Sequence, residues 1–255
     1  MDNAGFGLVS VVMAAYNAEK TIQQAVLSVL GQTYQNLELL VVDDGSSDNT
    51  EAVVKELAVK DNRIKLMHSA SNHGVSYARK YALKKARGSW VAILDSDDVW
   101  RPDKLEKQIR FQKEKEAELL FTGSAFMDGN GKQIGFELHV PEEISYRQLL
   151  KQNLVSNSSV LVKKSLYEKY YVENDSLHED FAVWLAIMKT GINAYGIDEP
   201  LIIYRITESS KSGNKLHAAK MNWNTYQYIG LNILQSCYYM VWYAMNGLLK
   251  YKNLK

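Results

Sequence analysis

Asp95-Ser96-Asp97-Asp98 places three carboxylates directly after Trp90–Leu94, a short apolar run with β-branched residues. Such a run reads as a buried strand. Carboxylates clustered at its end repel one another and lose hydration unless positive charge sits among them. A divalent cation bridging them to a diphosphate would supply that charge. Oxygen-only donors suit Mg²⁺ or Mn²⁺ rather than zinc. The plainer reading is a solvated Asp-rich turn that caps a helix. Two further polar groups close apolar runs in the same way: Tyr16-Asn17 after Leu8–Ala14, and Asp43-Asp44 after Leu37–Val42. Farther on, Glu179-Asp180 opens a helical pattern. Acids favour the positive end of a helix, which accounts for one of the two.

These groups must be positioned by the elements between them. Leu8–Ala14 is a near-continuous apolar run, as suits a parallel strand covered on both faces, and Leu37–Val42, Ile64–Met67 and Trp90–Leu94 read as further strands. Helical spacing separates them: Ile22, Ala25, Val26, Val29 and Leu30 within 19–32; Val53, Val54 and Leu57, capped by Asp48 or Ser47; and Val75, Ala78, Ala82 and Leu83, ending near Gly88. The alternation predicts an α/β fold with a mostly parallel central sheet flanked by helices. Ligands of open sheets bind beyond the carboxyl ends of the strands, so three polar strand ends predict one pocket. After about residue 115 the pattern loosens. Leu119–Phe121 and Ser159–Val162 read as strands, and 179–190 as a helix. The expected organisation is a domain over 1–215, with a nucleotide-binding half to about 115 and an acceptor half from about 116, followed by a helical segment over 216–255.

Bulk properties exclude several classes. The 255 residues are 46% hydrophobic and 23% charged, with a net charge of +1. No broad attraction to nucleic acid follows. The single cysteine, Cys237, excludes a disulfide framework within the chain and a Cys-rich zinc site. It agrees with a reducing cytoplasm. Asp2 and the absence of a basic residue before the first apolar run lack the pattern of a secretory signal. No G-x-G-x-x-G follows the first strand, which argues against a dinucleotide-binding oxidoreductase.

The order of these pieces resembles family 2 glycosyltransferases of the GT-A fold. The matching segments are Ser10–Asn17, Val41–Asp48, Asn72–Arg79, Leu94–Asp98 and His178–Leu185. Together they cover roughly residues 8–210. The resemblance implies that Tyr16 and Asp44 hold the nucleotide base, and that Asp97 ligates the metal, with Asp95 also a ligand but nearer the ribose. Ser96 falls in the same nucleotide-sugar site, and Asp98 either contributes or caps the next helix. Arg79 lies near the diphosphate or its metal-binding carboxylates. Asp180 is the general base of an inverting transfer. Arg205, in Tyr204-Arg205 ahead of Ser209, Ser210 and Ser212, is expected to touch the diphosphate or belong to a lid over the donor. The bland readings are a core tyrosine for Tyr16, a surface arginine for Arg79 and a structural histidine for His178. The implied cofactor is Mn²⁺ or Mg²⁺ and the implied donor a UDP-sugar, glucose first. Two departures stand out. Ala14 occupies a position that is usually proline in the family, and the Gln-x-x-Arg-Trp motif of processive synthases is missing. The second favours addition of one sugar per binding event.

From Met221 to Leu249 no residue is charged, and aromatics are dense. Interspersed amides argue against a membrane span. The segment reads as a helix lying in a bilayer interface, with Lys250, Lys252 and Lys255 near lipid phosphates, or else as a packing helix. The first reading suits a lipid-diphosphate acceptor at the inner face of a bacterial membrane, as in surface polysaccharide synthesis. Two other readings stand beside it. One is a sugar nucleotidyltransferase, although the loop after the first strand, Ala14–Ala18, lacks the Gly-rich, basic character that holds a triphosphate. The other is a non-catalytic, membrane-associated scaffold.

Overall fold

The computed structural model describes residues 6–206 and 215–251. Four parallel strands come first: β1 (Val9–Ala15), β2 (Leu37–Asp43), β3 (Ile64–His68) and β4 (Trp90–Ile93), in the order β3-β2-β1-β4. Between them run α1 (Ile22–Leu30), α2 (Thr50–Lys60) and α3 (Val75–Lys85). After β5 (Val99–Trp100) and α4 (Lys104–Lys115), the same sheet continues through β6 (Leu119–Met127), β7 (Gln133–Leu138), β8 (Glu143–Ile144), β9 (Leu161–Lys163) and β10 (Ala194–Arg205). The longer ladders are parallel, β6 with β10 included, while β9 pairs antiparallel with both β4 and β6. Short helices α5 (Tyr146–Lys151) and α6 (Lys164–Tyr170) precede α7 (Glu179–Met188), and α8 (Lys215–Tyr228) and α9 (Ile233–Tyr251) follow.

Alternation along the strands builds a core on each face of the sheet. On β1, Val9, Val11 and Met13 belong to the core that also holds residues of α1, α2 and α4, whereas Val12 belongs to the one with α3 and α7. Both sets are fully buried. That is why these strands read as continuous apolar runs.

Register then sets the site. Ala15 pairs with Asp43, and Asp43 with His68, so the ends of β1, β2 and β3 lie level. Leu94 N–H donates to Val12 O at 3.1 Å, which brings the residues after β4 to the same edge. At α2 the N-cap position falls on Asn49 rather than on Asp48 or Ser47, although Asp48 Oδ1 accepts the N–H of Thr50, the first helical residue, at 2.9 Å. Ser47 N–H is turned instead to Asn17 Oδ1 at 2.9 Å, which ties the first two strand-end loops together.

Candidate active site

One cleft of about 830 Å³ opens at this edge. Tyr16, Asp44, Arg79, Asp95, Ser96, Asp97 and Asp180 all line it, with Asn157, Tyr204 and Tyr243 among the other walls. Tyr16 is 51% exposed, a ring standing in the cleft rather than in the core.

Asp44 is held rigidly. Its Oδ2 accepts backbone N–H groups from His73 at 3.0 Å and Gly74 at 2.8 Å. Its Oδ1 is buried and has no hydrogen-bond partner. Two glycines allow this approach. Gly45 has φ +72°, and a Cβ there would sit 2.6 Å from the Ser71 backbone; Gly74 has φ +98°, and its Cβ would meet Asp175. Asp43 braces the loop, accepting from the Ser46 hydroxyl and lying 3.1 Å from His68 Nδ1.

The acidic loop after β4 divides its labour. Asp95 receives Arg79 at 2.5 Å and Asn157 Nδ2 at 3.2 Å, and its own N–H donates to Ser158 Oγ at 3.1 Å. Burial and the neighbouring charge of Asp95 push Asp97 up to about 6. Asp98 points away from the cleft. It is buried and accepts from Ser158 Oγ at 2.6 Å and the N–H of Arg205 at 2.9 Å. Burial and the charges of Asp97 and Asp95 hold it well above the ordinary carboxylate range. Asp98 therefore locks the loop to β10 and neither caps α4 nor faces a ligand.

Asp95 and Asp97 thus concentrate negative potential in a cleft, through oxygen donors alone, a donor set that would suit a hard divalent cation. Among the described residues, the group close enough to enclose an ion by itself lies elsewhere, at Asp43, Glu51 and His68. Its carboxylates already have partners in Ser46, His68 and Lys55.

Arg79 is buried and does more than neutralise Asp95. Its other arm is bonded to Glu179, one hundred residues away in sequence. Burial opposes its charge, but Asp95 and Glu179 outweigh that effect and raise its pKa. Both acids at the start of α7 line the cleft, but the carboxylate of Glu179 is paired with Arg79 of α3, whereas that of Asp180 is not. The sequence pairs Glu179 with Asp180 but does not reveal that Arg79 separates their tasks. Asn157 and Ser158, between α5 and β9, carry no sequence motif and were found only through their contacts with the acidic loop.

Arg205 departs from expectation. It is only 5% exposed. Its guanidinium donates to the Asp97 carbonyl at 2.9 Å, to the Gly129 carbonyl at 3.3 Å and to Gln24 Oε1 at 2.8 Å. Carbonyls left over at loop ends have claimed the donors that a diphosphate would need. Ser209, Ser210 and Ser212 lie outside the described residues. His178 lines the cleft, but its Nε2 lies 3.1 Å from the Ala218 carbonyl, which ties α7 to α8.

A sheet of this order with its acids on one cleft defines an α/β enzyme of the GT-A type. The glycosyl transferase family 2 model matches residues 10–169, and the chain belongs to that family. It is a glycosyltransferase. It is 37% identical over 256 residues to WfgD of Escherichia coli, named as a UDP-Glc:alpha-D-GlcNAc-diphosphoundecaprenol beta-1,3-glucosyltransferase, covering 97% of this chain and 98% of that one. Among solved structures, the fold is similar to S. aureus TarS 1–349 in complex with UDP-GlcNAc, with TM-score 0.69, 20% identity, and 91% and 70% of the two chains covered. It is likewise similar to the mannosyltransferase PcManGT of Pyrobaculum calidifontis in complex with GDP-Man and Mn²⁺, with TM-score 0.70, 18% identity, and 91% and 69% covered.

Proposed function

We propose that this enzyme is an inverting, metal-dependent hexosyltransferase. It would move one glucose from UDP-glucose to a sugar carried on a lipid diphosphate, at the inner face of a bacterial membrane, during surface polysaccharide synthesis. The observation that supports it most is the convergence of Asp44, Asp95, Asp97 and Asp180 on one cleft, from segments far apart in sequence. The named activity of WfgD supports the choice of donor and acceptor. The separation at about residue 115 would correspond to donor-binding and acceptor-binding halves of a single sheet.

In this reading Tyr16 stacks on the uracil, and the Oδ1 of Asp44, which lies 3.6 Å from His73 Nδ1 without a hydrogen bond, accepts its N3–H. Asp97 and Asp95 hold Mn²⁺ or Mg²⁺, with Asp95 also near the ribose and Ser96 beside the donor. When bound, the cation offsets the charge that collects on the departing diphosphate. Asp180 accepts the proton of the acceptor hydroxyl. The hydroxyl oxygen bonds to the anomeric carbon from the face opposite UDP, and the bond to the diphosphate oxygen breaks. An α-linked donor thus gives a β-linkage. Arg79 contributes by holding Asp95 and α7 in a fixed relation rather than by touching the donor.

The test is UDP release from a panel of UDP-sugars with Mn²⁺ and a synthetic N-acetylglucosamine diphospholipid. Glucose is expected to be the best donor; release from none of them would overturn the reading. Asp97→Ala is expected to weaken Mn²⁺-dependent UDP binding on the order of ten- to a hundredfold. Calorimetric titration with and without EDTA checks this, and equal affinity in the variant would remove Asp97 from the metal site.

A further inference from the structure

Helix α9 turns two faces to different surroundings. Inward, Tyr239, Met240 and Tyr243 pack on the core, and Asn246 Nδ2 donates to the Lys151 carbonyl at 3.2 Å. Tyr243 also lines the cleft. Outward, Leu234, Tyr238, Val241, Trp242 and Met245 recur at helical spacing, and all are exposed, Leu234 by 81% and Val241 by 60%. Scattered exposed apolar residues are ordinary, whereas a contiguous stripe marks a surface that something covers. Among the described residues, no helix is long and apolar enough to cross a membrane.

Charge identifies the occupant. Residues 209–255 contain six lysines and no acid, +6 in a chain whose whole net charge is +1. Helix α5, packed alongside α9, adds Arg147 and Lys151 and no acid. Lys151 Nζ lies 4.9 Å from the centroid of the Trp242 ring, so a cation borders the apolar stripe. An anionic bilayer matches both features, with acyl chains for the stripe and phosphates for the lysines. A second copy of the chain would set one lysine-rich, acid-free segment against another, which is unfavourable.

We propose that the outer face of α9 seats in the plane of an anionic phospholipid surface, and that Tyr243, on the inner face of the same helix, brings the mouth of the cleft to that surface. The purpose of this seating rests on the lipid-linked acceptor proposed above; the seating itself does not.

The test is flotation of the full chain with vesicles of phosphatidylcholine alone or mixed with phosphatidylglycerol, for the wild type and for a variant carrying Leu234→Glu, Val241→Glu and Met245→Glu. All three positions are exposed, so circular dichroism and UDP affinity should be unchanged. The wild type is expected to float with the anionic vesicles, and the variant to partition about a hundredfold more weakly. Wild-type protein that stays in solution, or a variant that floats equally well, overturns the proposal. So does a wild-type dimer in sedimentation that the variant dissolves, because a second copy would then cover the stripe. UDP release separates this from the functional reading. The variant should keep its activity on a short-chain, water-soluble acceptor and lose it on one embedded in vesicles. Vesicle binding by a wild type inactive on both acceptors would sustain the seating and remove the acceptor assignment.

Discussion

Asp180→Asn is expected to lower kcat for sugar transfer about a thousandfold while leaving UDP affinity within about twofold. Asp180 lies in the first turn of α7 and lines the cleft, and its Oδ1 accepts the N–H of the next residue, Phe181, at 2.7 Å. Asparagine keeps the shape and that hydrogen bond but cannot take a proton at neutral pH. The cleft walls formed by the loops after β1, β2 and β4, to which the donor is assigned in the proposed function, stay as they were. Single-turnover transfer together with UDP titration separates the two effects. Transfer at the wild-type rate would take Asp180 out of the mechanism, and parallel loss of UDP binding would make it a donor contact instead.

Arg79→Met is expected to give the largest loss of stability, about 3–5 kcal/mol. The methionine fills much of the space but leaves the carboxylates of Asp95 and Glu179 without their shared cation. The side chain of Glu179 is only 8% exposed, so most of the cost falls there; that of Asp95, at 29%, retains some water. For a chain of this size the melting temperature should fall by roughly 10 °C. Arg79→Lys should recover only part of this, because a single ammonium cannot reach two carboxylates on opposite sides as a guanidinium fork does. Thermal melts of the three proteins decide the matter. Equal melting temperatures would mean that the ion triad contributes nothing net to the fold. Transfer should fall in Arg79→Met even below its melting temperature, since α7 would no longer be fixed relative to the acidic loop.

The part of the fold that was legible in the sequence is the part built from local pattern. β1, β2 and β4 are buried on both faces, which leaves largely apolar runs of Val, Ile, Leu and Ala that end at polar residues, while edge strand β3 exposes Lys65 and His68. The second half was harder to read for the converse reason. β10 shifts register at Pro200 and alternates irregularly between buried and exposed, so no clean period survives along it. β5, β8 and β9 are two or three residues long and exist only because β10, β4 and β6 offer them partners.

The site divides along the same line. Residue types and strand ends alone determined that Tyr16, Asp44 and Asp95–Asp97 would share an edge, since parallel strands in register carry their last residues to one side. The apolar, acid-free character of the C-terminal segment was likewise fixed by composition. Only the tertiary structure decided which neighbour each polar group would find. It bonded Glu179 to Arg79 while Asp180 lines the cleft without that ion pair, turned Asp98 inward to Ser158, and spent Arg205 on loop carbonyls and the Gln24 side chain. Hydrogen-bond donors and charges are satisfied by whatever lies within about 3 Å, and sequence distance says nothing about that when the partners are one hundred residues apart.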